Sequence, residues 1–317
     1  MAFDRVCVVG GGVIGSLYAA HVAQVTDVCV LTRRPEHARA LADQGLRVSG
    51  KNDFTARLSA TDDPSELPDA RLVIMATKAT DLDAAAQRLQ GHLPRAAVLT
   101  IQNGLGAEDI VRAHGDWPLV SAITFMAGVR HSDSHVEYEL DTETWLGPYA
   151  GTATPYELAE EIRELLVEAG LRARSFRDLR PAQWSKLIFN ATVNTVAALT
   201  DLPHVGAFAA VDEPGDLGHL VRDLMDEGSK VAVAAGVVLH EDPWEMNVLA
   251  VQRGETAAAS GHYAHVPSML EDVRSRRPTE VDFIAGALVR EAERLGVPAP
   301  LHTAMYRLVR ARESVYR

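Results

Sequence analysis

The sequence predicts an α/β protein in two parts: a parallel sheet clothed by helices over residues 1–178, then an all-helical part over residues 179–317. Three observations predict it. Short β-rich runs alternate with helical segments through the first half, a glycine-rich turn joins the first strand to the first helix, and after Pro181 the pattern is helical almost throughout.

In the first half, residues 5–9 (Arg-Val-Cys-Val-Val) form a strand and residues 15–23 a helix; 27–31 is the next strand and 36–44 the next helix. Residues 71–76 and 97–101 continue the series. Each run is apolar on both faces, as a strand buried in a doubly covered parallel sheet must be. Later strands over 119–124, 136–140 and 144–146 are expected to extend this sheet. Residues 155–169 then read as a helix and 171–175 as a last strand. The hinge falls near residues 177–181. Helices are expected at 181–199, 217–235, 243–251, 267–274 and 279–295, several opened by proline, which suits the first helical position.

At 317 residues the chain is long enough for two domains and a substantial core. Its formal net charge of −12 argues against nucleic acid or an anionic membrane as the main partner. A locally basic cleft for a small anion stays open. Cys7 and Cys29 fall inside apolar strands, so they are expected as buried reduced thiols with no disulfide framework. The N-terminus lacks the basic segment and long apolar core of a signal peptide, and no apolar stretch reaches about 18 residues. A cytoplasmic setting is expected. The helical part offers surfaces for a homodimer but none that is diagnostic.

The turn Gly10-Gly11-Gly12-Val13-Ile14-Gly15 has the GxGxxG spacing of a dinucleotide site, in the strand–turn–helix context that such a site needs. The first glycine permits the tight turn and the second lets the backbone approach a pyrophosphate. The third lets helix and strand pack closely, and the helix N-terminus attracts the phosphates. The first part is therefore expected to be a Rossmann-type dinucleotide-binding domain. An NAD site usually places Asp or Glu after the second strand. Here Thr32-Arg33-Arg34 stands there, two guanidinium groups and a hydroxyl suited to a 2′-phosphate. NADP(H) is the expected cofactor, although one of these arginines alone would be an ordinary surface charge.

The most informative stretch is Trp184-Ser-Lys186-Leu-Ile-Phe-Asn190-Ala-Thr-Val-Asn194. Steps of four residues put Lys186, Asn190 and Asn194 on one face of an otherwise apolar helix. Buried polar groups left unpaired cost several kcal/mol, so this stripe needs partners, and a polar substrate is an obvious one. Lys78 and Asn103-Gly104 directly follow strands, at the carboxyl edge where ligands bind; by position alone either is equally a turn residue. Ser268 and Glu280 fall in the first turns of expected helices, where capping and dipole effects alone explain them.

Taken in order, these segments resemble the ketopantoate reductase family nearly end to end. The resemblance is carried by Gly10–Gly15, Arg33, Lys78, Gln102-Asn103-Gly104 and Lys186-xxx-Asn190-xxx-Asn194, then Ser268-Met-Leu-Glu-Asp and Thr279-Glu280-Val-Asp. It implies reduction of 2-dehydropantoate to pantoate with NADPH, on the route to pantothenate and coenzyme A. It implies Lys186 as proton donor, with Asn190, Asn194 and Ser268 holding the substrate's carboxylate and hydroxyl. Asn103 would lie between nicotinamide and substrate. Arg33, Lys78 and Glu280 would serve the cofactor, and the backbone of Ala127 would approach the nicotinamide.

The chain departs from the family pattern at His204 and His265, where asparagine is frequent. Both mark the substrate side, so a relative acting on a different 2-oxo acid is the alternative. A 3-hydroxyacid or 6-phosphogluconate type dehydrogenase also pairs lysine and asparagine on a helix, but the Ser268 and Glu280 segments count against it. A non-catalytic NADP-binding sensor is disfavoured by the retention of Lys186. His262-xx-His265 and His131-xxx-His135 lack the cysteine or carboxylate cluster that would complete a metal site, and no metal is expected.

Overall fold

The computed structural model describes residues 3–210, 213–259 and 266–316. The chain divides into two compact units, one formed by residues up to Gln102 with Ala107–Leu179, the other by Asn103–Gly106 with Arg180–Arg317.

The first unit runs β1 (Arg5–Val9), α1 (Val13–Val22), β2 (Asp27–Leu31), α2 (Pro35–Gln44), β3 (Leu46–Gly50), β4 (Phe54–Ala56), β5 (Ser59–Thr61) and β6 (Leu72–Met75). It continues through α3 (Leu82–Leu89), β7 (Ala97–Thr100), α4 (Ala107–Arg112), β8 (Leu119–Thr124), β9 (Ala127–Ser132), β10 (His135–Leu140), β11 (Thr144–Pro148), α5 (Tyr156–Glu168) and β12 (Ala173–Ser175). Eight strands form the main sheet in the order β12-β11-β8-β7-β6-β1-β2-β5. The β1, β2, β5, β6, β7 and β8 pairings are parallel, and β11 joins β8 antiparallel.

Alternation along β1 explains why its run is apolar from Val6 onward. Val6 and Val8 pack into the core on one face of the sheet, while Cys7 and Val9 pack into the core on the other. Cys7 lies beside Cys29 in the β1–β2 register, and both are free, buried thiols. Burial pushes the Cys7 thiol up, away from reactive thiolate. The chain leaves β1 towards β2 on one side and later returns to β6 on the other. The crevice outside the carboxyl ends of β1 and β6 is therefore the topological switch point, where doubly wound sheets bind ligands.

The expectation that residues 136–140 extend this sheet is corrected. β10 belongs to a separate four-stranded sheet, β4-β3-β10-β9. Its residues alternate between buried and partly exposed, which suits a sheet with one covered face. It pairs antiparallel with β9 and parallel with β3. The strands β3, β4, β5 and β9 were not foreseen, because they are short and carry many polar residues. Helix α1 packs against strands of both sheets.

The second unit holds α6 (Arg180–Thr200), α7 (Asp216–Ala234), α8 (Pro243–Ala259), α9 (Ser268–Arg274), α10 (Ala285–Leu295) and α11 (Pro300–Glu313). All five later helices pack on α6. The expected helix over 279–295 begins only at Ala285. In the preceding turn the Thr279 hydroxyl accepts from Val281 N–H, and the Phe283 carbonyl accepts from Leu105 N–H (3.1 Å) rather than from a residue of its own helix. The terminal helix α11, with Pro300 in its first turn, was not anticipated. Among the described residues, no helix is long and apolar enough to cross a membrane.

Gly104 fastens the Asn103–Gly106 loop to this unit. Its φ is +95°, and a Cβ there would stand 1.9 Å from the Phe283 carbonyl oxygen. The glycine is thus required by backbone conformation and by space together. Gly104→Ala is expected to cost about 2 kcal/mol or more, the scale of a strained left-handed residue plus a displaced contact. Urea denaturation of the purified variant checks this; an unchanged midpoint would show that the loop is dispensable to the unit.

Candidate active site

Helix α6 is buried on nearly every side: fifteen of its 21 residues are buried, as a helix apolar all round must be. Two of its hydroxyl groups bond backward, Thr195 to the Ala191 carbonyl (2.7 Å) and Ser185 to the Pro181 carbonyl (3.1 Å); Ser185 also meets the Glu241 carbonyl (2.8 Å), and the Thr192 hydroxyl is buried without a partner among the described residues. Lys186, Asn190 and Asn194 are buried along this helix. The Asn190 amide donates to the side-chain oxygen of Asn103 (3.4 Å), so the Asn103–Gly106 loop brings a further carboxamide to the stripe. The Asn194 side-chain oxygen accepts from Met269 N–H (3.5 Å) at the start of α9.

Ser268 is the exposed first residue of α9, and Pro267 occupies the cap position, so N-capping does not account for the serine. Glu280 is half-buried in the turn before α10, not in the first turn of a helix. Its carboxylate acts electrostatically on Lys186. Burial drags the Lys186 ammonium down from its ordinary 10.5, the Glu280 charge opposes that fall, and the balance lies at about 7. Such an amine holds and releases a proton near neutral pH. The unit thus gathers Lys186, Asn190, Asn194 and Asn103 with Glu280 and the α9 start. Their chemistry is that of one proton-exchanging cation among neutral amides.

The glycine turn is built on the first unit. Gly10 has φ +103° and its Cβ would meet the Thr77 backbone nitrogen at 2.9 Å; at Gly15 a Cβ would stand 2.0 Å from the Gly10 carbonyl oxygen. The first and third glycines therefore close the turn against β6 and α1. Gly12 caps α1, and neither a capping side chain nor an acidic residue occupies the first turn, so the free N–H groups of Val13 and its neighbours suit an anion. At the same sheet edge the Thr77 hydroxyl and the Gln102 side-chain oxygen are buried without a hydrogen-bond partner among the described residues. These orphaned atoms and the Cβ-free cradle fit a dinucleotide with its phosphates on the helix end.

Lys78 is exposed directly after this edge, and Ala127, half-buried, opens β9. Arg33 is exposed and pairs loosely with Asp81 (3.5 Å). Two parts of the expected phosphate site are corrected. The Thr32 hydroxyl is buried and donates to the Arg34 carbonyl (2.9 Å), so it shapes the turn rather than facing a ligand. The Arg34 guanidinium is taken by Asp133. Gln102 had no assigned role; its amide donates to the carbonyls of Met75 (2.8 Å) and Thr77 (3.0 Å), tying β7 to the end of β6. A polar residue directly after an apolar strand was the available signal.

His204 is buried, with Nε2 against the Asn247 side-chain oxygen (2.8 Å) and its ring edge-on to Phe189 and Phe208. His262 and His265 lie outside the described residues. His131 bonds Glu137 (2.7 Å) and His135 bonds Ser49 (2.8 Å). Among the described residues no group of three or more His, Cys, Asp or Glu converges on a metal position.

A Rossmann-type unit whose glycine turn fits a dinucleotide, followed in the chain by a helical unit with a buried lysine near neutral pKa, is the make-up of an oxidoreductase. Two family models match in tandem: "Ketopantoate reductase PanE/ApbA" over residues 6–151 and "Ketopantoate reductase PanE/ApbA C terminal" over 178–313. The chain belongs to the ketopantoate reductase family. A 2-dehydropantoate 2-reductase of Pyrococcus horikoshii is 27% identical over 312 residues, covering 98% of each chain. The crystal structure of a PanE/ApbA family ketopantoate reductase from Ralstonia eutropha JMP134 superposes with a TM-score of 0.83 at 28% identity, covering 98% of this chain and 99% of that one. A D-mandelate dehydrogenase solved with NADH and anilino(oxo)acetate shares the fold at TM-score 0.84 and 22% identity, over 98% and 99% of the two chains.

The buried lysine has a measurable cost. Its folded pKa of about 7 lies below the ordinary 10.5, so between these values the unfolded chain binds more protons and this contribution to stability rises with pH. Lys186→Met is therefore expected to raise the melting temperature by several degrees near pH 7, with the gain shrinking towards pH 10.5. Calorimetry across that range checks it; a gain independent of pH would show that desolvation of the ammonium is not the cause.

Proposed function

We propose that the protein reduces 2-dehydropantoate to pantoate with NADPH, with Lys186 as proton donor, on the route to pantothenate and coenzyme A. The observation that carries this reading is the buried Lys186 ammonium, held near neutral pKa beside Asn190. When bound, NADPH supplies hydride to the C2 ketone. Negative charge then develops on the ketone oxygen, where Lys186 stabilises it and delivers the proton that completes the alcohol. Asn190, Asn194 and Ser268 hold the substrate's carboxylate and hydroxyl without adding negative charge beside them, and Asn103 positions the reacting carbon. Glu280 keeps enough of Lys186 protonated to act. In this reading residues 1–178 form the NADP-binding domain and 179–317 the substrate domain. Gly10, Gly11, Gly12, Val13, Ile14 and Gly15 cradle the pyrophosphate, with Lys78 and the Ala127 backbone flanking the cofactor. Arg33 supports the NADPH preference, since its guanidinium is exposed at the end of β2, where a 2′-phosphate would lie.

Lys186→Ala is expected to lower turnover of ketopantoate by roughly a thousandfold, the scale of a lost general acid and charge, with NADPH affinity nearly unchanged. The wild-type kcat/KM for reduction should fall as pH rises through about 7. Glu280→Gln removes the charge that raises the lysine, so the same limb should move to lower pH. Unchanged turnover in Lys186→Ala would remove the lysine from the mechanism. A panel of 2-oxo acids run beside ketopantoate tests the substrate; negligible turnover of ketopantoate beside a fast alternative overturns that assignment.

Arg33→Ala should weaken NADPH by roughly tenfold or more, as expected for a charge-assisted phosphate contact, and leave NADH nearly unaffected. Fluorescence titration with both cofactors measures this, and equal losses would sink the 2′-phosphate role.

A further inference from the structure

We propose that His37 is an additional ligand of the dinucleotide, its Nε2 contacting the phosphorylated adenosine ribose beside the glycine turn. The inference rests on the NADPH reading and adds a residue to it. His37 lies in the first turn of α2, directly after Thr32-Arg33-Arg34, and its side chain is 6% exposed. Its Nε2 is buried without a hydrogen-bond partner among the described residues. An orphaned ring nitrogen costs free energy, so its retention points to a partner that arrives with the ligand.

The ring lies directly over the second residue of the glycine turn. A Cβ on Gly11 would stand 2.5 Å from His37 Cε1 and 2.8 Å from Nε2. The backbone of Gly11 is not in the left-handed region, and what a side chain here would meet is this ring and not backbone. Gly10 N–H in turn bonds the Leu31 carbonyl (2.9 Å), which brings the turn against the end of β2. His37 therefore stands where the glycine turn and the β2 end meet, the position of the adenosine ribose in doubly wound dinucleotide sites.

The opposite ring nitrogen is oriented. Nδ1 stands 4.0 Å from the Asp133 carboxylate. A carboxylate on that side favours the proton on Nδ1 and leaves Nε2 as the titrating position. The charged groups facing the ring are Asp133 from the β9–β10 turn, Arg130 from β9 and Arg34 from the cap of α2. Burial lowers His37 most, Asp133 opposes it, and Arg130 and Arg34 lower it further, so the free protein holds the ring neutral at pH 7. A 2′-phosphate dianion at Nε2 reverses that balance. The ring then takes up a proton and donates a charge-assisted bond to a phosphate oxygen.

The test is calorimetric titration of the full chain with NADPH, NADH and adenosine 2′,5′-bisphosphate at pH 6, 7 and 8. For wild type, NADPH and the bisphosphate should bind tighter at lower pH with proton uptake, and NADH should show neither. Each unit by which binding raises the histidine corresponds to about tenfold in affinity. His37→Phe keeps a ring over Gly11 and removes both nitrogens; it should weaken NADPH about tenfold at pH 6 and flatten the pH dependence. His37→Gln, which restores a donor, should recover part of the pH 6 affinity without restoring the slope. Equal NADPH affinity and slope in wild type and a folded His37→Phe would overturn the proposal while leaving the NADPH reading intact. Failure of the wild type to bind NADPH or the bisphosphate would overturn the cofactor reading itself.

Discussion

An ammonium group taken out of water sets the terms for the helical unit. Lys186 is buried on α6, against which five other helices pack, and a carboxylate acts on it from the turn before α10. Desolvation pulls the amine towards neutrality and Glu280 holds it back. The neighbouring polar groups on α6 obey the same constraint. Each serine or threonine hydroxyl that bonds backward to its own helix removes a demand for water, and each asparagine meets a partner brought by another segment.

The sheet-bearing unit is governed by close approach instead of charge. Gly10 and Gly15 lack side chains because backbone atoms of Thr77 and Gly10 already occupy the space, and at Gly11 an imidazole stands in that place. Gln102 then ties the ends of β6 and β7, fixing the sheet edge on the far side of the switch point. The result is a rim of immobilised backbone on which N–H groups and a few orphaned side-chain atoms are held in place before any ligand arrives.

Much of this was legible in the sequence where the signal is local. Strands β1 and β2 were bounded to the residue, because each has one charged residue at its start and then four buried apolar ones, as a strand covered on both faces needs. The stripe on α6 was visible because helical spacing is a local property. What could not be read depended on distant partners. β10 resembles a main-sheet strand until its alternating burial and its pairing with β3 and β9 are known. Residues 279–284 carry a helical pattern, yet the Phe283 carbonyl is claimed by Leu105 from far up the chain. The histidine over Gly11 gave no sequence signal, since its significance lies in which backbone it covers.

The attachment of Gly104 to the Phe283 carbonyl has a consequence for how this chain can be divided. The helical unit borrows four residues from a loop that begins and ends in the other unit. A cut between Leu179 and Arg180 therefore yields a C-terminal piece lacking the loop and the Asn103 amide that meets Asn190. During synthesis the loop emerges with the sheet and waits for its partner until nearly the whole chain has been made. The two halves are consequently not interchangeable modules joined by a linker. Any exchange of the helical half between relatives has to carry this loop with it.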